Sequence, residues 1–146
     1  MKTNVQIIKK EFETFANGNT TRCIIRGKIT LPKDLIELVS TFPGFTKFVN
    51  AQTMVLWEDD NIEVVGIGHA YKHKSDVANP KLGEYVADTK AQKNMFRLAA
   101  NFQDNLRWFI IQSLETDIVN GVMGCTYAMN SCDNHIDELK KKTTNG

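Results

Sequence analysis

The chain has 146 residues, of which 42% are hydrophobic and 24% are charged, a balance typical of a globular domain that buries its own core. Its formal net charge is only +1, which excludes a global electrostatic field that would hold the protein on nucleic acid or anionic lipid. Three cysteines without C-x-x-C spacing argue against a disulfide framework and a structural zinc site.

No segment of the sequence is expected to enter or cross a membrane. The stretch MKTNVQIIKKEF lacks the apolar run of an export signal, and nowhere do about 18 apolar residues follow one another. We therefore expect reduced thiols, no membrane partner and a cytoplasmic location.

The first 30 residues predict a β-hairpin. Residues 5–15 are rich in β-branched and aromatic side chains, residues 21–30 repeat that pattern, and Asn17-Gly18-Asn19 between them favours a tight turn. Alternation along the second strand places Cys23, Ile25, Gly27 and Ile29 on one face and Arg22, Ile24, Arg26 and Lys28 on the other. The second face is either a solvated outer face or an anion-binding face.

A short helix and a second hairpin follow. Pro32 opens a helix near residues 33–41, and Pro43-Gly44 ends it. Residues 53–57 and 62–71 predict two more strands across a polar turn. The predicted core of the fold is therefore an antiparallel sheet of about four strands.

From Lys81 the apolar residues recur at helical spacing as far as Asn120, where Gly121 and Gly124 are expected to end the helix. A helix this long would extend beyond the sheet, so it either breaks near Asn101 or packs its end on another subunit. Residues 131–140 could form a short last helix before a frayed tail. The periodic apolar set includes Leu82, Tyr85, Val86, Ala91, Met95, Leu98, Phe102 and Leu106. The whole chain is predicted to be one α+β domain, residues 1–146.

The sequence contains no convincing catalytic or metal-binding motif. Gly66-x-Gly68 lacks the third glycine and the helix start of a dinucleotide fingerprint, so a bulge or a close helix crossing is the better interpretation. His69 and His73 have no third ligand at a recognisable spacing. We expect a protein that is not an enzyme and uses no cofactor.

The long helix carries the residue types that a nucleotide site needs. Lys90, Lys93 and Arg97 share one side; Arg can bind phosphate, Asn can contact a base edge, and an aromatic ring can stack on a base. The alternative is that the aromatic residues belong to the core or to a subunit interface. The candidate ligand-binding residues are Arg97, Phe96, Asn101, Phe102, Asn105 and Arg107, with His73 from the preceding loop.

Residues 64–97 resemble a signature of small proteins from bacteriophages and other mobile elements. The residues that carry the resemblance are Ala70, Asp76, Gly83, Ala87, Ala91, Lys93 and Arg97, after a strand. Similar phage proteins include the anti-Thoeris sponges, which sequester a cyclic nucleotide immune signal in pockets between subunits. The resemblance implies a homo-oligomer in the host cytoplasm, with Arg97 as a phosphate ligand and Phe96, Asn101, Phe102 and Asn105 as base contacts.

Two other functions remain open at this point. A nucleic-acid-binding module related to the double-stranded-RNA-binding fold would use the basic strand face together with Lys72, His73 and Lys74. An inhibitor of a host enzyme would instead present the long helix or the aromatic cluster at Phe42, Phe45 and Phe48.

Overall fold

The protein is a four-stranded antiparallel sheet with two short helices and one long helix, in a computed structural model that describes residues 1–15, 18–72 and 80–145. Its elements are β1 (Val5–Phe15), β2 (Thr20–Ile29), α1 (Lys33–Ser40), α2 (Phe45–Asn50), β3 (Val55–Glu58), β4 (Asn61–Tyr71) and α3 (Pro80–Asn145). The strands lie in the order β1-β2-β4-β3. The α+β class and the inserted helix near residues 33–41 are confirmed.

The two hairpins have turns that suit their sequences. Gly18 has a φ of 87°, a left-handed conformation that costs glycine little, and its N–H donates to the Phe15 carbonyl at 3.2 Å. Asp59 has a φ of 52° in the turn between β3 and β4, a region that Asp tolerates better than most residues. Two tight turns thus fix the register of the β1–β2 and β3–β4 pairs.

One face of the sheet forms the core with the helices. Side chains alternate between buried and partly exposed along β2 and β4, as expected for strands that are covered on one side only. The buried side chains include Cys23, Ile25 and Ile29 from β2, Ile62 and Val64 from β4, Ile36 and Val39 from α1, and Ala87, Ala91, Met95, Ala99, Phe102 and Leu106 from α3.

Glycines in β4 let α3 cross the sheet at very short range. A Cβ atom on Gly68 would lie closer than 3.0 Å to the backbone of Ala87 and Ala91, and one on Gly66 would meet Ala91 and Met95 equally closely. The small side chains of Ala87 and Ala91 complete this contact. The Gly66-x-Gly68 pair is therefore a helix-crossing site, one of the two roles that the sequence predicts for it.

An aromatic cluster closes the core beside α2. The Trp57 ring meets Phe45 edge-on, with ring centroids 5.1 Å apart, and also contacts Phe102 at 5.9 Å. Phe48 lies 6.2 Å from Phe102 on the other side. The Phe-rich segment of the sequence thus forms a short helix whose aromatic rings pack onto the core.

The predicted apolar stripe of α3 reaches the core only in its middle part. Leu82 is 57% exposed and Tyr85 is 71% exposed, whereas the buried side of α3 begins at Ala87. The periodicity alone does not locate this start, because the first turns of α3 carry the same spacing as the buried ones.

The long helix does not end where the sequence predicts. It runs through Asn101 without a break and continues past Gly121 and Gly124 to Asn145, so residues 131–140 belong to it and form no separate helix. Glycine in a helix interior costs only about 1 kcal/mol relative to Ala, and after Pro80 the sequence contains no proline, the residue that would force an end.

The chain divides into two compact units, Met1–Arg107 and Trp108–Gly146. The first unit contains the sheet and the core. The second consists of the remainder of α3, and none of its side chains described from 108 to 143 is buried. No helix in the described part of the chain has the length and apolarity needed to span a membrane.

Candidate anion-binding site

Arg97 is exposed on α3 and is oriented by a neighbour that is anchored to the sheet. Its Nη2 atom donates a hydrogen bond to Asn94 Oδ1 at 2.9 Å. Asn94 in turn donates from Nδ2 to the backbone carbonyl of Ile67 in β4. Because a guanidinium has five N–H donors, this contact leaves donors available for an anion.

Three cations form a stripe on this side of α3. Lys90, Lys93 and Arg97 are spaced by three and four residues, which places them on one helix face. None of the three takes part in an ion pair within the described residues. We call these residues the cationic stripe.

The nearest acidic side chain along the helix is already neutralised. Asp88 accepts a hydrogen bond from Lys10 Nζ at 2.8 Å and another from Gln92 Nε2 at 2.8 Å. Burial opposes ionisation of the Asp88 carboxyl, but these two hydrogen bonds and the Lys10 charge hold its pKa below the ordinary value. Because Lys10 already compensates the Asp88 charge, Asp88 reduces the positive potential of the cationic stripe only slightly.

Two other predicted ligand residues lie near the stripe. Phe96 is 38% exposed and precedes Arg97, so part of its ring faces solvent. Asn101 is exposed one helical turn after Arg97. Together with Lys93 they supply cations, an aromatic surface and an amide on one stretch of α3.

The remaining candidates from the sequence are not placed at the stripe. Phe102 is 2% exposed and packs in the aromatic cluster of the core, so we leave it out of the site. Arg107 pairs with Asp104 at 2.9 Å. Asn105 Nδ2 donates to Gln52 Oε1 at 3.3 Å, which directs its amide toward the end of α2. His73 lies outside the described residues.

The outer face of the sheet is less basic than the sequence of β2 indicates. Arg22 pairs with Glu13 of β1, and Arg26 Nη1 lies 3.4 Å from Glu63 Oε2 of β4. Both acidic partners come from neighbouring strands, so the alternation within β2 could not reveal them. Because these two carboxylates compensate Arg22 and Arg26, the face has a smaller net positive charge than binding to a nucleic-acid backbone would require.

Aromatic rings nevertheless surround Arg22 on that face. The Arg22 guanidinium lies 4.6 Å from the centroid of the Phe15 ring. His69 and Tyr71 follow on the adjacent strand, with ring centroids 6.0 Å apart and nearly parallel planes. No sequence pattern groups these rings, since they are brought together only by the β1–β2–β4 pairing.

Asn94 is the residue near the stripe that the sequence interpretation missed. It lies between Lys93 and Met95 in a polar stretch, with nothing to distinguish it from a solvated side chain. Only the position of β4 beneath α3 gives its amide a backbone carbonyl to bind.

Burial raises the pKa of the Cys23 thiol, which has no exposed surface and lies in the core. Within residues 1–15, 18–72 and 80–145, no three His, Cys, Asp or Glu side chains lie close enough to share a metal ion.

Comparison of the chain with protein-family models, with curated proteins and with solved structures found no match. The geometry of the chain's own residues is therefore the basis for any functional proposal.

Proposed function

We propose that this protein is a non-enzymatic binding protein that captures a small anionic ligand, a cyclic nucleotide signal, on the cationic stripe of α3. The observation that carries the proposal is the set of three cations without described ion pairs, with Arg97 oriented by Asn94. A preoriented guanidinium can bind a phosphate through two parallel hydrogen bonds. Lys90 and Lys93 add charge without demanding a fixed geometry.

The groups beside the stripe suit the rest of a nucleotide. The partly exposed ring of Phe96 offers a surface for base stacking, and the Asn101 amide offers both a donor and an acceptor. These contacts would distinguish a nucleotide from inorganic phosphate. The proposal therefore predicts that nucleotides bind more tightly than phosphate does.

Tight capture requires the ligand to be enclosed. An exposed helix face contacts one side of a ligand only, and small-molecule sites usually bury most of the ligand surface. The proposed capture therefore takes place in a homo-oligomer, where a second subunit covers the ligand, as in the sponge proteins that residues 64–97 resemble. The biological role would then be anti-defence: a phage-type protein that removes an immune signal from the host cytoplasm.

Native mass spectrometry tests this proposal directly. The purified protein is measured alone and with a panel of cyclic oligonucleotides and cyclic ADP-ribose isomers. We expect a defined oligomer that gains the mass of unmodified ligand and releases the same ligand on heating.

Arg97→Ala should abolish this mass shift and leave the thermal unfolding midpoint nearly unchanged, because Arg97 is exposed and its hydrogen bond is local. Arg26→Ala is the matched control, since it removes an exposed arginine from the outer sheet face. Normal capture by Arg97→Ala would refute the site.

Other results would assign a different function. Release of a cleaved product would indicate an enzyme. Binding of duplex RNA that is lost in Arg26→Ala and weakens steeply with salt would favour the nucleic-acid module. A stable complex with a host protein, together with no ligand affinity, would favour an inhibitor.

A further inference from the structure

The last part of α3 carries a heptad repeat that the functional site does not use. Taking Ile111 as a d position, a and d positions recur through Leu139 over four heptads. Eight of the nine positions are apolar or cysteine, with Glu115 as the exception. We call these positions the heptad seam: Ile111, Glu115, Ile118, Val122, Cys125, Met129, Cys132, Ile136 and Leu139.

The seam is exposed within the described chain. Its large apolar side chains range from 42% exposed at Ile111 to 68% exposed at Ile118, and both cysteines are exposed. Such a surface is costly in water, where each apolar side chain would gain by burial. A covering partner would remove this cost.

The segment also has weak intrinsic helix propensity. Gly121 and Gly124 lie inside the helix, and no atom beyond their own turns comes within 4 Å of where a Cβ would stand. Ile118, Val119 and Val122 are β-branched and lose rotamer freedom in a helix. An isolated helix of this composition is marginally stable, so its order points to packing against a partner.

We infer that residues 111–139 bind the same segment of a second copy of this chain as a coiled coil. This inference does not rest on ligand capture: it concerns a different part of the helix and predicts association in the absence of any nucleotide.

The first reason to choose a second copy is the repeat itself. Heptads sustained over four repeats are typical of a helix that pairs with another helix of the same period. A globular partner would require no such regularity along about 42 Å of helix.

The second reason is the shape of the helix surface. Ile136, Leu139, Lys140 and Thr143 line a shallow hollow on α3. Their spacing of three, four and seven residues is that of the four-residue hole that receives a seam side chain from a facing helix.

The third reason is charge. The positions that flank the seam between 111 and 139 carry one charged side chain at neutral pH, Asp133. Two identical copies can therefore approach without rows of like charges facing each other. The flanking residues are Gln112, Leu114, Val119, Gly121, Thr126, Ala128, Asp133 and His135.

The buried area is sufficient for a stable contact. Burying a medium or large apolar side chain removes roughly 60–120 Å² from water, so eight side chains from each of two copies bury roughly 1,000–1,900 Å² in total. Stable interfaces of standard size bury about 1,200–2,000 Å².

A matched pair of methionine substitutions tests the seam. Met129 is a seam residue and is 66% exposed, whereas Met123 lies off the seam and is 64% exposed. Met129→Asp would place a carboxylate inside the closed seam, and Met123→Asp would place the same group in solvent. Both variants make the same residue change in a helix interior, so the change in intrinsic helix propensity is the same in each.

Molar mass is measured by light scattering and by sedimentation over a wide concentration range, without ligand. We expect an oligomer for the natural chain and for Met123→Asp, and a rise in Kd of at least about 100-fold for Met129→Asp because its carboxylate must be desolvated. A monomeric natural chain would overturn the inference. So would equal behaviour of the two variants.

The cysteines give a second readout that does not depend on destabilising the seam. Cys125 lies midway between Ile111 and Leu139, so two copies paired over the whole seam bring their Cys125 residues to the same level in a parallel pair and to within about one helical turn of each other in an antiparallel pair. Mild oxidation with diamide should therefore link the Cys132→Ser chain into a disulfide dimer through Cys125. Absence of this dimer under conditions where light scattering finds the oligomer would place the association elsewhere on the chain.

The Cys125→Ser chain then reports the direction of the two helices. Cys132 meets its counterpart in a parallel pair and lies far from it in an antiparallel pair.

Discussion

Asp88 connects α3 to the edge strand β1 through its ion pair with Lys10. The carboxylate is 22% exposed and the Lys10 ammonium is 35% exposed, so the pair is better shielded from water than a surface ion pair. Gln92 adds a hydrogen bond from the next turn of the helix. The pair therefore holds the helix against a strand whose inner-face side chains Ile7 and Phe12 stay partly exposed.

The lowered pKa of Asp88 predicts a contribution to stability that depends on pH. Because the folded-state pKa lies below the unfolded one, the contribution is full above the unfolded pKa near 4 and is lost as the pH falls through the folded value. Asp88→Asn should cost about 1–2 kcal/mol at pH 7, and this difference from the natural chain should shrink in the acidic range. Urea unfolding of both chains at pH 7 and at an acidic pH measures this difference in the free energy of unfolding.

Asp104→Asn serves as the control for this prediction. Asp104 pairs with Arg107 on the helix surface, where the two side chains are 58% and 63% exposed. Its loss should change stability by less than about 0.5 kcal/mol at either pH. If Asp88→Asn changes the free energy of unfolding as little as Asp104→Asn does, the ion pair with Lys10 does not hold the helix against β1.

At the scale of the elements, the contact between β4 and α3 depends on the absence of a side chain at Gly68. A methyl group there would overlap the α3 backbone at Ala87 and Ala91, which cannot move without shifting the helix. Gly68→Ala should therefore destabilise the fold by about 1–3 kcal/mol.

Gly124→Ala should increase the stability of the protein, whereas Gly68→Ala decreases it. Its Cβ would meet no atom within 4 Å, and Gly124 lies off the heptad seam. Replacing glycine in a helix interior stabilises the helix by about 0.5–1 kcal/mol. Thermal and urea unfolding followed by circular dichroism give both values, and unchanged stability of Gly68→Ala would contradict the proposed role of the crossing.

At the scale of the whole molecule, the two compact units differ in what stabilises them. The first unit buries side chains from the sheet, from α1 and from the first part of α3, whereas the second has no buried side chain from 108 to 143. Order in the first unit should therefore be independent of protein concentration. Order in the second should increase with concentration, since it depends on a second copy.

Hydrogen exchange measured by mass spectrometry at low and high protein concentration distinguishes the two units. Amides of β2 and β4 should be equally protected at both concentrations, because they bond within one chain. Amides in residues 111–139 should gain protection at the higher concentration, and Met129→Asp should remove that gain. Equal protection of residues 111–139 at both concentrations, in a chain shown to be monomeric, would mean that the helix is stable by itself.

The sequence predicted the local structure well, since turns, strand alternation and helix starts depend on neighbouring residues. Gly18 and the polar turn at Asp59 marked both hairpins, and Pro32 marked α1. The predicted end of α3 was wrong, because Gly121 and Gly124 destabilise a helix but do not prevent it from continuing. Helix propensity alone therefore does not determine whether the helix ends at these glycines.

The candidate site was predicted only in part. Lys90, Lys93 and Arg97 share a face through helical spacing, which the sequence contains in full. Asn94 orients Arg97 because its own amide binds the Ile67 carbonyl in β4. Phe102 is a core residue because its ring contacts Phe48 and Trp57, which are distant in the sequence. Both assignments depend on segments that lie far apart in the chain.

What the sequence by itself determined is therefore the set of periodic patterns: four strands, an inserted helix and the start of a long helix. The tertiary structure decided which charges remain available. Arg22, Arg26 and Lys10 pair with carboxylates on other elements, whereas Lys90, Lys93 and Arg97 have no such pair among the described residues. The physical reason is that ion pairs and helix crossings form between segments brought together by the sheet register, which periodicity within one segment does not encode.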